Sequence, residues 1–434
     1  MEFHDILHGL MRFSDENLTK LLADLINSPE IHRLRNMRQM NFDVPLIQEL
    51  GRSRRLPHSI GVTYLAIELA HKSQLNLNDT KALLAAALLH DAAIPPYGHL
   101  VESELKYLDS DFSHEENLAK IIRGTLGSKD TYQHIVRNKE LKLTPILQKH
   151  GVDIESVIDI VCPRKGAVSP ISADIDIDNI DNVHRMAAML GWDGAKENIK
   201  AIRSSMRLNG LNGLVFSQEA IEPLHKWLEF RERIYTMIIA HPECIPYNAL
   251  QADLVRLAVG EGIITPANWY MTEPEFEEKL RSKNSSTEAL GWQLISGCEY
   301  QFVDYVWLKN FSTTKKLKNK DIVAHLNKAV PGFVKDSGYF VWNEKGLISR
   351  KIKATLVDSK VVQIGKNSTS CMIALVRKSS GQVRFTRVQS LKWRQDVIRS
   401  FIELFETDIF DFDFPETYTG SFYSQTDELQ FEYK

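Results

Sequence analysis

The sequence predicts a mainly α-helical protein with a smaller C-terminal region that contains β-strands. From residue 15 to about residue 310, apolar residues recur at the three- and four-residue spacing of amphipathic helices. After about residue 335 the pattern changes to alternating, β-branched runs, which are typical of strands. We therefore expect a helical domain over residues 1–310 and an α+β region with a small antiparallel sheet over residues 311–434.

The helical part is divided by short clusters of Pro, Gly, Asn and Asp, which favour turns. Asp15 is placed to cap the first helix, and Thr272 followed by Glu275 has the spacing of a capping box. The clearest helical runs are NLTKLLADLI (17–26), GVTYLAIELAHK (61–72), TKALLAAALLHD (80–91) and NVHRMAAML (182–190).

The C-terminal region is predicted to contain four strands and then a helix near residues 391–406, with a turn at residues 379–381. The acidic, aromatic segment 408–423 has no clear period, and we interpret it as a loop, a partner-binding segment or a partly disordered stretch. The predicted strands are KIKATLVD (351–358), KVVQIG (360–365), CMIALVRK (371–378) and QVRFTRVQ (382–389).

Composition narrows the class of protein. The chain has 434 residues, 43 % of them hydrophobic, and a formal charge of −3, so no net field would hold nucleic acid or an anionic membrane. Its four cysteines are scattered singly, which is typical of a reducing compartment. There is no signal-like start and no apolar run of roughly 20 residues. We expect a cytoplasmic protein that does not bind membranes.

One group of residues combines imidazoles with carboxylates. His90 and Asp91 end a very apolar helical run, where a carboxylate is costly unless it is paired or bound to a cation. His58 opens another helix, and Asp178 lies in the acidic segment 174–182. These ligand types suit a divalent ion such as manganese, iron or zinc, or a site that also takes magnesium. The sequence therefore predicts a metal site with a coordination position left open for substrate.

Each of these residues also has an ordinary structural interpretation. A single histidine at the start of a helix is usually a cap or a surface group, and an acidic run is usually a solvated face. The adjacent pair at the end of an apolar helix is harder to explain in that way. The order of a histidine, a His-Asp pair about thirty residues later and a remote aspartate favours the metal site.

Six ordered segments resemble the deoxynucleoside triphosphate triphosphohydrolases of the HD superfamily, which include bacterial dGTPases and the human sterile-alpha-motif and HD-domain antiviral enzyme. The resemblance covers about residues 5–190, continues weakly to about residue 310, and implies a helical HD-domain phosphohydrolase core. The segments are DILHG (5–9), INSPEIHRLRNMRQM (26–40), RRLPHSIGVTYLA (54–66), LLHDAAIPPYGH (88–99), SHEEN (113–117) and DIDNIDNVHR (176–185).

The resemblance implies roles for individual residues around the metal. It implies proton transfer by His99, held by Glu102, and a second pair, His114 with Glu115, that lines the site. Arg55 matches an arginine that contacts phosphate, for which its two-pronged guanidinium is suited. The metal ligands that it implies are His58, His90, Asp91 and Asp178.

Further positions match residues that bind the substrate in this family. Gln39 matches a glutamine that contacts the sugar 3′-hydroxyl, and Met40 matches an apolar residue that crowds the 2′ carbon. The chain departs from the family at Asn179, where a phosphate-binding lysine is common, and at Asn182, where a sugar-facing tyrosine is common. It also has Ile94 in place of a histidine near the reacting phosphate. The resemblance thus predicts an intact metal site with altered phosphate contacts.

We therefore expect metal-dependent hydrolysis of deoxynucleoside triphosphates to deoxynucleoside and inorganic triphosphate. The departures leave open a nucleoside monophosphate, a cyclic nucleotide or another phosphoester as substrate, or a nucleotide-sensing module with a weakened site. Segment 27–35 matches a region that binds an activating nucleotide at a subunit interface, with Arg35 retained and Asn27 and His32 different. The resemblance also implies a homo-oligomer (dimer, tetramer or hexamer) and is compatible with antiviral defence through nucleotide supply.

Overall fold

The helical part of the chain extends to residue 296. The computed structural model describes residues 1–41, 44–126, 143–164, 166–331, 334–345, 351–366, 369–380, 385–415, 419–421 and 430–432. Within them, its helices are α1 (Glu16–Ile26), α2 (Pro29–His32), α3 (Gln48–Arg52), α4 (Arg55–Lys72), α5 (Leu77–Leu89), α6 (His99–Leu105), α7 (His114–Ile122), α8 (Leu143–Lys149), α9 (Ile154–Val161), α10 (Ile177–Met189), α11 (Ala195–Ser205), α12 (Ile221–Ala240), α13 (Ile245–Gly260), α14 (Glu273–Leu280) and α15 (Glu288–Ser296).

Helix α5 lies at the centre of this part. Its run from residue 82 to residue 89 is fully buried, because it packs against α4, α9 and α1 at once. The predicted caps form as expected: the Asp15 side chain accepts from the backbone N–H of Leu18, and Thr272 and Glu275 make a reciprocal capping box. The mainly α fold that the sequence predicts is confirmed.

Two small hairpins accompany the helices, one before α1 and one between α11 and α12. The first joins β1 (Glu2–Asp5) to β2 (Gly9–Arg12), and the second joins β3 (Met206–Leu208) to β4 (Leu214–Phe216). Among the described helices, none is both long and apolar enough to cross a membrane.

The largest described sheet of the C-terminal region is antiparallel and has four strands, in the spatial order 411–413, 301–309, 369–377 and 337–345. The helix Arg387–Phe405 packs against one face, where Trp393 and Phe401 lie in a second hydrophobic core. A small antiparallel sheet is therefore present as predicted, and the predicted strand 371–378 lies in it, whereas the predicted strands 351–358 and 360–365 pair with each other in a separate two-stranded sheet. The elements of this region are β5 (Gln301–Lys309), α16 (Asn319–Ala329), β6 (Ser337–Lys345), β7 (Ile352–Thr355), β8 (Val361–Ile364), β9 (Thr369–Arg377), α17 (Arg387–Phe405), β10 (Asp411–Asp413), β11 (Thr419–Ser421) and β12 (Gln430–Glu432).

Three predicted elements need correction. The segment before residue 310 is not wholly helical, since β5 is the central partner of β9 and β10. The strand predicted at 382–389 is wrong from residue 385, because residues 385 and 386 are in no strand and α17 begins at Arg387 behind a capping box of Thr386 and Gln389. Residues 382–384 lie outside the described residues. In the segment 408–423, β10 pairs with β5, whereas residues 416–418 and 422–423 lie outside the described part.

Candidate metal centre and active site

Three helix ends bring a pair of imidazoles and a carboxylate together. His58 lies in the first turn of α4, His90 caps the C-terminal end of α5, and Asp178 lies in the first turn of α10. His58 Nε2 lies 2.8 Å from Asp178 Oδ1, and His90 Nε2 lies 3.7 Å from the same oxygen. One atom from each residue lies within 4.8 Å of the other two, so the three can hold a metal ion.

The orientation of His90 supports this interpretation. Its Nδ1 lies 2.9 Å from the carbonyl oxygen of Ala87, which makes Nδ1 the donor and leaves a lone pair on Nε2. Nε2 is buried and has no hydrogen-bond partner among the described residues. A buried, unpaired acceptor that faces a carboxylate suits a cation, and an imidazole with its other nitrogen bonded to a carbonyl is the usual form of a metal ligand.

Two carboxylates hold the ring of His58. Its Nε2 faces Asp178, and its Nδ1 lies 2.8 Å from Asp181 Oδ1. Burial disfavours the charged imidazole, but these two hydrogen bonds raise the pKa of His58 to about 9. Burial likewise opposes ionisation of Asp178, whereas the hydrogen bond from His58 lowers the pKa of that carboxyl.

The fourth predicted ligand, Asp91, makes a different contact. Its Oδ2 lies 3.6 Å from His90 Nε2 but accepts a hydrogen bond of 2.7 Å from the guanidinium of Arg55. Burial opposes ionisation, yet Arg55 and His90 hold the pKa of Asp91 far below its usual range. Gly98 leaves room for Arg55, because a Cβ there would lie 2.9 Å from its NH2 group. Arg55 therefore lies beside the predicted metal site, where its predicted contact with phosphate is possible.

The four predicted catalytic residues form a second cluster on α6 and α7. Glu102 is buried and lies between two imidazoles, with Oε2 2.9 Å from His99 Nδ1 and Oε1 3.2 Å from His114 Nδ1. Burial opposes ionisation of Glu102, but the bonds from His114 and His99 strongly lower its pKa. The pKa of His114 is raised by these contacts in spite of burial. Glu115 Oε2 lies 3.4 Å from His114 Nδ1 and also accepts from Ser113.

The two clusters face different surroundings. His99 is exposed over 79 % of its side chain, whereas His114 is buried. The charge of Asp91 acts on His114, and that of His114 on Asp91, so the two clusters are neighbours. An exposed imidazole held by a buried carboxylate can exchange protons with solvent and deliver one to a ligand.

The predicted substrate-binding residues are only partly grouped. Gln39 and Asn182 meet, since Gln39 Nε2 donates to Asn182 Oδ1 over 3.2 Å. Gln39 Oε1 is buried with no partner in the described part of the chain. Met40 is buried in the main core. The amide of Asn179 is turned away from this pair and donates to Asp176, the residue that caps α10.

Asp181 is a site residue that the sequence analysis missed. It lies one turn after Asp178 on α10 and accepts from His58, from Arg185 and from His8 Nε2 at 2.7 Å. Arg185 also donates to Asp5 over 2.7 Å. The signal was available: both Asp5 and His8 belong to the DILHG segment, and residues three and four apart on a helix share a face.

Arg33 is a second missed residue. Its guanidinium is buried and donates to the backbone oxygens of Ala92 (3.3 Å), Ile94 (2.6 Å), Trp269 (2.7 Å) and Met271 (3.0 Å). It thereby ties the loop that follows the His-Asp pair to the segment before α14. The neighbouring Arg35 of the predicted activator segment is exposed. The side chain of Ile94 is fully buried.

Arg231 on α12 is another buried residue that the sequence did not single out. Its side chain is buried, and its Nε and one NH group have no partner among the described residues. It stacks on Tyr235 with 4.7 Å to the ring centroid. Trp227, one turn earlier, donates from Nε1 to the backbone oxygen of Asn179, so this face of α12 is directed at the first turn of α10. Nothing in the local sequence distinguishes this arginine from a surface residue.

The comparison with known families agrees with this geometry. The family model described as "HD domain" matches residues 55–186. Residues 55–186 are therefore similar to an HD domain. The match begins at Arg55, ends just after Arg185, and contains all four residues predicted to bind metal as well as both histidine clusters. It covers less than a third of the chain.

Three relatives are similar over about half of the chain. The uncharacterized protein YwfO of Bacillus subtilis is 28 % identical over 245 residues (55 % of this chain, 52 % of the relative). The uncharacterized protein MG461 of Mycoplasma genitalium is 26 % identical over 242 residues (54 % and 55 %). The uncharacterized protein MJ1154 of Methanocaldococcus jannaschii is 24 % identical over 222 residues (50 % and 42 %). The chain thus spans about half the length of the curated relatives it matches.

Proposed function

We propose that this chain is a metal-dependent phosphohydrolase that converts deoxynucleoside triphosphates to deoxynucleoside and inorganic triphosphate. The observation that carries the proposal is the cluster of His58, His90 and Asp178 inside the HD domain, with the buried Nε2 of His90 unpaired within the described residues. Mixed imidazole and carboxylate ligands suit manganese, iron, zinc or magnesium.

The ligand residues are oriented before any ion binds. His90 is fixed by its bond to the Ala87 carbonyl, and His58 by its bond to Asp181, so both present Nε2 to the site. A divalent cation held by these residues would lower the pKa of a water molecule and polarise a phosphoryl oxygen. A phosphate bound to the ion would lie near Arg55, which Asp91 holds beside the cluster.

The His99, Glu102 and His114 cluster supports proton transfer to the leaving 5′-oxygen. Glu102 holds Nδ1 of His99, so the remaining nitrogen, Nε2, is free to donate or accept a proton at the exposed side. The buried carboxylate fixes the orientation of the ring. His114 shares the same carboxylate and keeps its charge close to Asp91.

Two buried guanidinium groups would neutralise the phosphate chain. Arg55 is held by Asp91 with its Nε unpaired among the described residues, and Arg231 has unpaired nitrogens on the face of α12 that is directed at α10. A charge-assisted hydrogen bond to a phosphate contributes about 1.5–3 kcal/mol. Arg231 would supply the cation that is lost where Asn179 replaces a lysine.

The preference for a deoxy sugar rests on Gln39 and Met40. The buried, unpaired Oε1 of Gln39 can accept a hydrogen bond from a sugar hydroxyl, and Asn182 holds the other end of that amide. Met40 is an apolar neighbour in sequence, and an unpaired 2′-hydroxyl beside it would cost free energy.

A second candidate is a phosphohydrolase that acts on a nucleoside monophosphate or a cyclic nucleotide. The amide of Asn179 is bound to Asp176 rather than free for phosphate, and the buried Ile94 side chain provides no imidazole. Both observations favour a substrate with fewer charges. A nucleotide-sensing role would instead combine binding with no hydrolysis.

A turnover screen tests the proposal. The purified chain is incubated with Mn²⁺, Mg²⁺ or Fe²⁺ and each deoxy- and ribonucleoside triphosphate, and products are separated by ion-pair chromatography. We expect deoxynucleoside plus intact triphosphate. His90→Ala and Asp178→Ala should abolish turnover with the helical content unchanged, because each removes a metal ligand.

His71→Ala is the matched control, since His71 is an exposed histidine on the same helix as His58. It should retain wild-type turnover. Release of phosphate only from monophosphates or cyclic nucleotides would replace the first candidate by the second. Binding of nucleotides without hydrolysis under any metal would favour the sensing role.

A further inference from the structure

The Asp181 carboxylate, which contacts Nδ1 of the proposed metal ligand His58, is also bound by His8 from the loop of the β1–β2 hairpin. Asp181 Oδ1 accepts from His58 Nδ1 and from Arg185, and Asp181 Oδ2 accepts from His8 Nε2 over 2.7 Å. The side chains of His8 and Asp181 are 1 % and 0 % exposed. A surface hairpin thus places a histidine in the interior, 173 residues away in sequence from its partner.

The loop of the β1–β2 hairpin is shaped to hold that histidine. Asp5 Oδ1 accepts from the backbone N–H groups of Leu7 and His8, both over 2.9 Å, and Asp5 Oδ2 accepts from Arg185 over 2.7 Å. Asp5 therefore fixes the loop and neutralises the arginine that also binds Asp181. Every charged group in this cluster has an opposite charge in contact with it, as burial requires.

Helix α4 leaves a space for these contacts at Gly61, one turn after His58. A Cβ at Gly61 would lie 2.3 Å from an NH2 nitrogen of Arg185, 2.4 Å from Asp181 Oδ2 and 3.2 Å from His8 Nε2. Any larger residue would occupy the position where the three side chains meet. The contacts of Asp181 with Arg185 and His8 therefore require a glycine at position 61.

We infer that the β1–β2 hairpin, through His8 and Asp5, is a positioning element that sets the affinity of the His58 site for its divalent metal ion. His58 can offer a lone pair at Nε2 only while its Nδ1 donates to Asp181, and His8 fixes the oxygen of Asp181 that His58 does not use. Loss of a residue that orients a ligand in this way weakens metal binding about 10- to 100-fold. The inference rests on the proposed metal-dependent function.

The test measures metal binding without turnover. Mn²⁺ is titrated into the metal-free 434-residue chain and the free ion is followed by electron paramagnetic resonance. His8→Ala should weaken Mn²⁺ binding about 10- to 100-fold. His8→Gln should recover most of the affinity, since its amide N–H can donate to Asp181, and the visible spectrum of bound Co²⁺ should change in the alanine variant and return towards wild type in the glutamine variant.

Two comparisons separate positioning from simple stabilisation. His4→Ala, which removes an exposed histidine from the same hairpin, should bind Mn²⁺ like wild type. The unfolding temperature of each metal-free variant measures how much the substitution alone destabilises the fold. Wild-type Mn²⁺ affinity and Co²⁺ spectrum in His8→Ala would overturn the inference, even if that variant unfolds at a lower temperature.

The same measurements separate a failure of this inference from a failure of the proposed function. A wild-type chain that binds no divalent ion would overturn both the inference and the metal-dependent function. A wild-type chain that binds Mn²⁺ and hydrolyses no nucleotide would overturn the proposed reaction alone, and weaker binding by His8→Ala would still support the inference.

Discussion

Replacing Gly61 by alanine should destabilise the folded chain, although the same change inside an open helix stabilises it by about 1 kcal/mol. The new methyl group would lie 2.3 Å from Arg185 and 2.4 Å from Asp181, which are both buried. One charge-assisted hydrogen bond in the cluster must then break, at about 2 kcal/mol, or two at about 4 kcal/mol. After the gain in helix propensity, the net loss is about 1–3 kcal/mol.

Gly260 provides the matched control. It ends α13, and a Cβ there would meet no atom within 4 Å, so Gly260→Ala should be neutral or stabilising by up to about 1 kcal/mol. The free energy of unfolding of both variants is measured by denaturant titration of the metal-free chain. The reasoning is refuted if Gly61→Ala is as stable as Gly260→Ala. It is also refuted if Gly61→Ala loses stability while Asp181 keeps its bonds to His58 and Arg185 in a crystal structure.

Three further predictions concern single side chains. Glu102→Gln should lower the pKa of His114, because the contacts of this carboxylate raise that pKa against the effect of burial; an NMR titration of the ring measures it. Because the pKa of His114 is raised in the folded chain, its positive charge stabilises the fold fully below about pH 6.5, and this stabilisation is lost as the pH rises through the folded pKa. The destabilisation caused by Glu102→Gln should therefore shrink in alkaline buffer. A loss of unfolding free energy that is the same at every pH would contradict this. Arg231→Gln should lower kcat/KM for triphosphates about 10- to 150-fold, the loss of one charged hydrogen bond, and an unchanged kcat/KM would remove Arg231 from the site. Arg33→Met should cost at least about 3 kcal/mol in unfolding, because four carbonyl oxygens lose their donor, whereas the exposed Arg35→Met should stay within about 0.5 kcal/mol; equal effects would contradict it.

Helices such as α1 were predictable because they bury one face and expose another, which leaves a periodic pattern in the sequence, whereas α5 was indicated by the length of its apolar run. Strand β5 was not predictable in this way, because its central residues 304–308 are all buried and the strand lacks the alternation of apolar and polar residues. The start of α17 was misjudged for a different reason. The β-branched and apolar residues after residue 382 outweighed the Thr386–Gln389 capping signal, although a cap determines where a helix begins more directly than composition does.

The candidate site was predictable where its residues are close in sequence. His90 and Asp91 are adjacent, and His99 and Glu102 are one turn apart, so their local pattern already indicates shared chemistry. Whether those residues carry the proposed roles stays a prediction, as do the two-domain division, the oligomer and the activating nucleotide. Residues such as Arg231 could not be found, because their partners are set by packing between helices that are remote in sequence.

The separation of His8 from Asp181 also has a consequence for the order of events during synthesis. At roughly 5–20 residues per second, a ribosome needs about 10–35 s to add the 173 residues between them. During that interval the hairpin has no acidic partner for its histidine and no arginine for Asp5. The nascent chain therefore cannot complete the environment of His58 until α10 has emerged, so the candidate metal site is assembled only after translation has passed residue 189.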